Sequence, residues 1–272
     1  ESSIFDGMDF LVAAALGLKP GEHLKQKSTC RRLNSEHGMQ DKICSLVSDL
    51  YRKISSQEFT RPPSRENWRL ERKADLGDGN KGPEIVLEKA IATVAANGPL
   101  DSWYNQIPVA SGFINENADK RAAIDLLDYH GDSVSFVELK WDYSTPAFAA
   151  FEILLYGMAY LLCRDNKEKF GYADKDLMLV DAVELQVLAP AFFYQKCDLQ
   201  FLADGISAGL ERLCAGREDG LRMTFAFRSF APGFELPFSN GEEIARIRGG
   251  RGDSAQEREL IDAMNSTQLV WG

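Results

Sequence analysis

Two apolar segments joined by a short turn constrain the fold of this 272-residue chain most strongly. Residues 121–129 and 133–141 are mostly apolar, and His130-Gly131-Asp132 separates them. Strand-like runs joined by a short, Gly-containing connection are typical of a β-hairpin. The pattern therefore predicts two antiparallel strands, and the few charged residues within them require a specific explanation.

The segments around this hairpin predict an α/β order of elements. Gly82-Pro83 is a helix start signal and Asn97-Gly98-Pro99 a stop signal. The expected elements are a helix over 84–96, a strand over 103–113 interrupted by Pro108, the hairpin, an apolar helix over 146–163 and a strand over 177–188. The predicted order is α, β, β, β, α, β.

Helical segments precede this unit and mixed segments follow it. Helix-spaced apolar residues occupy 9–18 and 40–54, before a break at Arg61-Pro62-Pro63-Ser64. The later segments are a helix over 199–214, a strand over 221–230, a Gly-rich stretch over 246–252 and a last short helix. We expect a helical N-terminal extension over 1–75, an α/β core over 76–240 and a C-terminal extension over 241–272.

Composition restricts the class of protein. With 44% apolar and 26% charged residues, the chain has enough material for a large folded core. Its five cysteines include no C-x-x-C pair, and acidic residues rather than basic ones precede the first apolar run. A reducing, cytoplasmic location is expected. Residues 147–163 contain Glu152 and predict a buried core helix rather than a membrane span.

The formal charge of −10 disfavours binding to nucleic acid unless positive charge is local. Residues 1–73 contain thirteen basic and ten acidic residues, a balance of +3, so residues 74–272 carry −13. The N-terminal basic residues are a candidate nucleic-acid surface, although solvated helix faces explain them equally well.

Asp125, Glu138 and Lys140 are charged residues in parts of the hairpin that are otherwise nearly all apolar. Because side chains alternate along a strand, Glu138 and Lys140 point to one face, and Asp125 can lie beside them. The charges of two buried carboxylates and an ammonium must be compensated by one another or by a metal ion. Carboxylate and carbonyl oxygens are ligands that suit Mg²⁺ or Mn²⁺. Such a site, with an adjacent lysine, fits phosphodiester hydrolysis.

These residues and the order of elements resemble the PD-(D/E)XK nuclease superfamily over about 83–188. The resemblance implies a restriction-endonuclease-like αβββαβ core with a mixed central sheet flanked by helices. It implies that Asp125 and Glu138 bind the metal, that the Leu139 carbonyl joins them, and that Lys140 is the catalytic lysine. Ile124 stands where the proline of the family name would be.

Further residues are assigned through the same resemblance. The metal-binding glutamate of the first core helix would be Glu88, with Glu84 as the competing choice. Glu152 and Tyr156 could fill accessory positions on the helix after the lysine strand. Independently of the resemblance, Lys120 and Arg121 are candidate phosphate contacts, because they lie on or next to the strand that carries Asp125.

Context distinguishes this motif from chance copies. The [D/E]-x-K triplet occurs at Glu71-Arg72-Lys73, Glu138-Leu139-Lys140 and Asp165-Asn166-Lys167. Only the middle copy lies in an apolar strand that follows another strand carrying an aspartate. A structural ion-pair network remains the alternative explanation of this copy. The Gly77-x-Gly79-x-x-Gly82 pattern follows a charged stretch, not a strand, which disfavours dinucleotide binding.

The sequence therefore predicts a Mg²⁺- or Mn²⁺-dependent nuclease that acts on nucleic acid, with DNA favoured. Two alternatives stay open: a catalytically silent scaffold with a nuclease fold, and a module that binds nucleic acid through its N-terminal helices. A homodimer or a protein partner would be compatible with either alternative, and no membrane partner is expected.

Overall fold

The computed structural model describes residues 3–33, 38–75, 82–113, 122–238, 241–248 and 254–272. The helices described are α1 (Met8–Ala15), α2 (Lys27–Arg32), α3 (Met39–Ser55), α4 (Pro83–Ala96), α5 (Pro146–Asp165), α6 (Lys167–Phe170), α7 (Gln200–Cys214), α8 (Gly241–Arg248) and α9 (Ser254–Asn265). The strands are β1 (Trp103–Pro108), β2 (Ala123–Tyr129), β3 (Ser133–Leu139), β4 (Ala182–Ala189), β5 (Arg222–Ser229) and β6 (Gln268–Trp271).

The strands form one mixed sheet in which they lie side by side in chain order. Strands β1, β2 and β3 pair antiparallel, whereas β3, β4 and β5 pair parallel and β6 returns antiparallel to β5. Gly131, with φ of 78°, allows the tight turn between β2 and β3. An α/β fold with a mixed sheet flanked by helices is confirmed.

Helices cover both faces of the sheet. Helix α5 packs on β3 and β4 within a large apolar cluster that also contains residues of α1, α3 and α7. Helix α4 belongs to a second cluster with Leu126, Val137 and Leu139, and with residues of α8 and α9. The β2–β3 hairpin therefore has a packed layer on either side, and its polar residues lie within a folded core.

Helix α5 is the longest helix described, and it is strongly apolar. Thr145 caps its start by accepting a hydrogen bond from the Phe148 amide at 3.2 Å, and Pro146 begins the helix. By length and composition this helix alone, among those described, could cross a membrane. Because 78% of its apolar window is buried inside the protein, it is packed as the predicted core helix.

Helices α3 and α7 approach each other closely because α7 carries two glycines at their contact. A Cβ on Gly209 would lie 2.6 Å from the Val47 Cβ, and a Cβ on Gly205 would lie 2.7 Å from the Ile43 Cβ. Only hydrogen atoms fit at these two positions. The N-terminal helix α3 is thus held directly against an element of the α/β region.

Some predicted boundaries were wrong. The first strand ends at Pro108 rather than continuing to residue 113, since proline has no N–H to extend the ladder. Residues 176–178 form a 3₁₀ turn, so the strand expected from 177 begins at Ala182. The expected final helix is present as α9, but the strand β6 that follows it was not predicted.

Candidate functional site

The open end of the β2–β3 hairpin brings the predicted charged residues together. Leu126 pairs with Val137, so the next residues outward, Asp125 and Glu138, lie beside each other on one face. The Asp125 Oδ2 accepts a hydrogen bond from the Leu139 amide at 3.0 Å. Lys140 follows the last residue of β3, and its amide donates to the Leu188 carbonyl at 2.9 Å.

Lys140 links two carboxylates from different elements. Its ammonium donates a hydrogen bond to Glu138 Oε1 and lies 3.3 Å from Glu152 Oε2 on α5. The Glu152 Oε2 is buried, and it accepts no hydrogen bond from the described residues. One ammonium therefore faces three nearby carboxylates, which leaves an excess of buried negative charge.

This crowding is reflected in the protonation of the site. Loss of hydration is the largest cause that raises the pKa of Asp125 to about 7, while Lys140 opposes this rise. Burial, followed by repulsion from Asp125, raises the pKa of Glu138 well above its ordinary value. Burial acts to lower the pKa of Lys140, but the surrounding carboxylates outweigh it and raise that pKa.

Tyr156 lies one turn beyond Glu152 on α5, and its ring packs 5.8 Å from that of Phe5. Burial and the neighbouring carboxylates, led by Glu138, raise the pKa of Tyr156 above its ordinary value. The phenol therefore keeps its proton beside the acidic cluster. Both predicted accessory residues, Glu152 and Tyr156, lie at the same site as the hairpin residues.

Glu88 approaches from the other side of the sheet and is held by amide groups. Its Oε1 accepts from Asn105 Nδ2 at 2.5 Å, and its Oε2 accepts from Gln106 Nε2 at 2.8 Å. Its charge is near enough to raise the pKa of Asp125. Glu84, the competing residue, instead accepts a hydrogen bond from the Trp141 amide at 2.9 Å and so holds the chain after β3.

The oxygen atoms at this site are of the type that binds divalent cations, but they do not form a complete coordination shell. Asp125 and Glu138 supply adjacent carboxylates, and the Leu139 carbonyl is the expected third oxygen ligand. The excess of buried carboxylates around Lys140 favours a cation such as Mg²⁺ or Mn²⁺. Within the described ranges, however, no three acidic, histidine or cysteine groups are arranged as ligands of one ion.

Two predicted contacts with nucleic acid, Lys120 and Arg121, lie outside the described residues. Gly77 and Gly79 of the disfavoured dinucleotide pattern also lie outside them. In the N-terminal region, Arg32 pairs with Glu22 at 2.5 Å, and the Arg72 Nε donates to the Trp103 carbonyl at 2.9 Å. These two arginines already serve intramolecular contacts, so they are weaker candidates for binding phosphate.

A groove of about 1120 Å³ reaches the cluster from the outer side of α5. Glu152 and Tyr156 line one end, together with Phe148 and Phe151 of the same helix. Lys25 also lines the groove, with its ammonium 4.4 Å from the centre of the Phe148 ring. No local sequence pattern predicts this groove, because its walls come from α1, the chain that follows α1, and α5.

Comparison with known proteins leaves the chain without an assigned family. No family model matches its sequence, no curated protein is significantly similar to it, and no solved structure is significantly similar to its fold.

Proposed function

We propose that this protein is a metal-dependent nuclease that hydrolyses phosphodiester bonds, with DNA as the favoured substrate. The observation that carries the proposal is the convergence of Asp125, Glu138 and Lys140 at the end of one hairpin, joined by Glu152 from α5. Burying so much charge is costly for a structural device, whereas catalytic sites commonly hold such groups.

The arrangement of elements supports the same proposal. The order α4, β1, β2, β3, α5, β4 has three antiparallel strands followed by one parallel strand. This order resembles the αβββαβ core of the PD-(D/E)XK superfamily, in which the second and third strands carry the acidic residues and the lysine. In this chain Asp125 lies on the second strand and Glu138 on the third, with Lys140 directly after the third strand.

In the proposed reaction, each residue has a limited task. Asp125, Glu138 and the Leu139 carbonyl would hold Mg²⁺ or Mn²⁺. When bound, the ion polarises a phosphoryl oxygen and makes water a stronger nucleophile. Lys140 keeps its proton, so its ammonium orients the attacking water and stabilises the charge that develops on phosphorus oxygens.

Glu152 and the groove would complete the site. Glu152 lies 3.3 Å from Lys140 Nζ and so restricts where the ammonium points. The groove supplies aromatic faces next to Glu152 and Tyr156, where a nucleobase could stack. The contact with nucleic acid would be local, which is compatible with a net charge of −10.

The decisive experiment measures cleavage by the purified full chain. Labelled single- and double-stranded DNA and RNA are incubated with Mg²⁺ or Mn²⁺, and with a chelator as the blank. Lys140→Ala should lower the rate at least about 10²-fold, as expected when one charge-stabilising donor is lost. Lys167→Ala removes the lysine of another [D/E]-x-K triplet and should leave the rate unchanged.

A second pair of variants tests the carboxylates. Asp125→Asn should abolish cleavage, whereas Asp128→Asn, three residues along the same strand, should retain it. Asp128 pairs with His130 at 3.0 Å, near the turn and away from the cluster. Equal activity in Asp125→Asn, Lys140→Ala and the unaltered protein would refute the proposal.

A silent scaffold is the second candidate, and the engagement of both Glu88 oxygens by amides favours it. Calorimetry with Mn²⁺ separates the two functions. A nuclease should bind the ion, and Asp125→Asn should weaken binding at least tenfold. A scaffold that has lost the site should show neither binding nor cleavage.

A further inference from the structure

Two cysteines that are far apart in sequence meet beside the start of α5. Cys30 lies on α2, and Cys197 lies in the loop between the 3₁₀ turn Ala191–Tyr194 and α7. Their sulfur atoms are 3.1 Å apart, across 167 residues of chain, and both thiols are free. No residue of the proposed nuclease site is involved in this contact.

The surroundings of the pair are suited to a reactive thiol. Cys30 is fully buried, whereas Cys197 is partly exposed. Both cysteines line a small cavity of about 80 Å³ together with Thr145 and Arg31. A molecule the size of water or hydrogen peroxide can therefore be accommodated next to both sulfurs.

The hydrogen bonds at this place distinguish the two sulfurs. The hydrogen bond with Cys197 is the largest cause that lowers the pKa of Cys30, and the Ala147 amide acts in the same direction. This amide belongs to the first turn of α5, where backbone N–H groups favour negative charge. The bond to Cys30 raises the pKa of Cys197. Cys30 is thus the better nucleophile, and Cys197 keeps its proton.

We propose that Cys30 and Cys197 are an oxidisable thiol pair that forms a reversible disulfide with hydrogen peroxide. The Cys30 thiolate attacks one peroxide oxygen, the O–O bond breaks, and a sulfenic acid and hydroxide result. The Cys197 thiol then attacks the sulfenic sulfur, the S–S bond forms, and the S–O bond breaks. The proton of Cys197 passes to the hydroxide from the first step and gives one water. The hydroxide that leaves the sulfenic sulfur takes up the proton that Cys30 released and gives the second water. In total, two thiols and one peroxide give one disulfide and two waters.

The disulfide would join α2 to the loop before α7, beside the start of α5. Helix α5 carries Glu152 and Tyr156. Oxidation would therefore restrain the two segments that lie beside the start of the helix that flanks the proposed catalytic cluster. The thiol chemistry itself is independent of nuclease activity. In a reducing compartment such bonds are typically transient, and a thiol reductant should restore the pair.

The test uses the full chain treated with increasing hydrogen peroxide, quenched and digested without reduction. Mass spectrometry should find the peptide of Cys30 linked to that of Cys197, and the count of free thiols should fall by two. Dithiothreitol should reverse both changes. The oxidised protein should also unfold at a temperature several degrees higher, because the bond closes a long loop.

Two variants keep the result decisive. In Cys197→Ser, dimedone should trap a sulfenic acid on Cys30, and the increase in melting temperature should disappear. Cys44→Ser alters another buried cysteine and should form the disulfide as the unaltered chain does. Linkage of other cysteine pairs in place of this one, or oxidation of each sulfur separately without linkage, would overturn the proposal.

Discussion

Lys140 is the most constrained charged side chain of the candidate site. It lies between Glu138 from its own strand and Glu152 from the facing helix, and both contacts are withdrawn from bulk water. An ammonium held from two directions keeps a fixed position relative to a substrate. Pre-positioning of this kind contributes to catalysis because less reorganisation is needed in the transition state.

Glu152→Gln should therefore affect turnover more than binding. The amide cannot pair with Lys140 as a carboxylate does, so the ammonium becomes less ordered. We expect kcat to fall about tenfold, a loss of about 1.4 kcal/mol in transition-state stabilisation, with KM almost unchanged. Steady-state kinetics on a short labelled duplex measure both constants.

Glu168→Gln, an exposed substitution of the same type just beyond α5, is the control for this prediction and should change neither constant. An increase in KM without a change in kcat in Glu152→Gln would instead assign Glu152 to substrate binding.

The two glutamates of α4 show what sequence could not decide. Glu84 and Glu88 are one turn apart on α4. Glu84 accepts a hydrogen bond from the chain after β3, and Glu88 accepts hydrogen bonds from β1. The partners that distinguish them, Asn105 and Gln106, lie on β1, and Gln106 adopts φ of 54°. No pattern in the sequence predicts this left-handed backbone, so the capture of Glu88 by amides could not be foreseen.

The end of α5 is tied to the chain before β5 by charged residues. Arg164, which is 6% exposed, donates to Asp219 Oδ2 at 2.7 Å and to the Val180 carbonyl at 2.6 Å. Arg217 bonds to Asp219 at 2.9 Å and to Asp165 at 2.6 Å. Hydrogen bonding from Arg217, then from Arg164, holds the pKa of Asp219 well below its usual range.

Asp219→Asn should lower the free energy of unfolding by about 1–3 kcal/mol at pH 7, because Arg164 loses its charged partner inside the protein. The contribution is complete above the unfolded-state pKa of about 3.9 and is lost as the pH falls towards the lower folded-state pKa. Urea denaturation from pH 7 to pH 2 should thus show the two proteins converging in acid.

The exposed pair Asp49–Arg52 supplies the control for this change. Asp49→Asn should cost less than about 0.5 kcal/mol at any pH in the series. A difference between Asp219→Asn and the unaltered protein that is as large at pH 2 as at pH 7 would contradict the assignment of the effect to charge.

The contact between α3 and α7 predicts a second effect on stability. Gly209→Ala adds a methyl group 2.6 Å from Val47 and 2.9 Å from the Cys44 carbonyl, so the helices must separate. Overpacking costs about 1–3 kcal/mol, and the helix propensity of alanine returns about 1 kcal/mol. We expect a net loss of up to about 2 kcal/mol in urea denaturation.

Ser45→Ala, on the exposed side of α3, should change stability by less than about 0.5 kcal/mol. A Gly209→Ala protein as stable as the unaltered chain would show that the two helices can adjust without loss of packing.

The central elements were predictable because their patterns are strong and local. Both strands of the hairpin were located by their apolar runs, and α5 by its length and apolar character. The strand β6 is short, with half its residues exposed, and it depends on pairing with β5 rather than on its own pattern. Tertiary pairing of this kind is not encoded in a local window of sequence.

Across the whole molecule, the charge of −10 limits how a phosphate chain can be held. If contact is restricted to the cluster and its groove, few phosphates are neutralised by the protein. The logarithm of KM plotted against the logarithm of the salt concentration should then have a slope no steeper than about 3, which corresponds to about three phosphates on a duplex.

Cleavage rates over a range of substrate concentrations, measured from low to moderate KCl at constant Mg²⁺, give KM at each salt concentration and hence this slope. A slope of about 6 or more would instead indicate an extended basic surface. The N-terminal lysines and arginines would then be the candidate contact with nucleic acid.

The β2–β3 turn also has a practical use. Gly131 and its neighbours are exposed at one end of the hairpin, while the acidic cluster lies at the other, roughly 20 Å away along β3. A dye or surface anchor attached at His130 would therefore stay clear of the groove. Immobilised molecules would present the cluster outward to a passing strand, so single cleavage events could be followed on individual proteins.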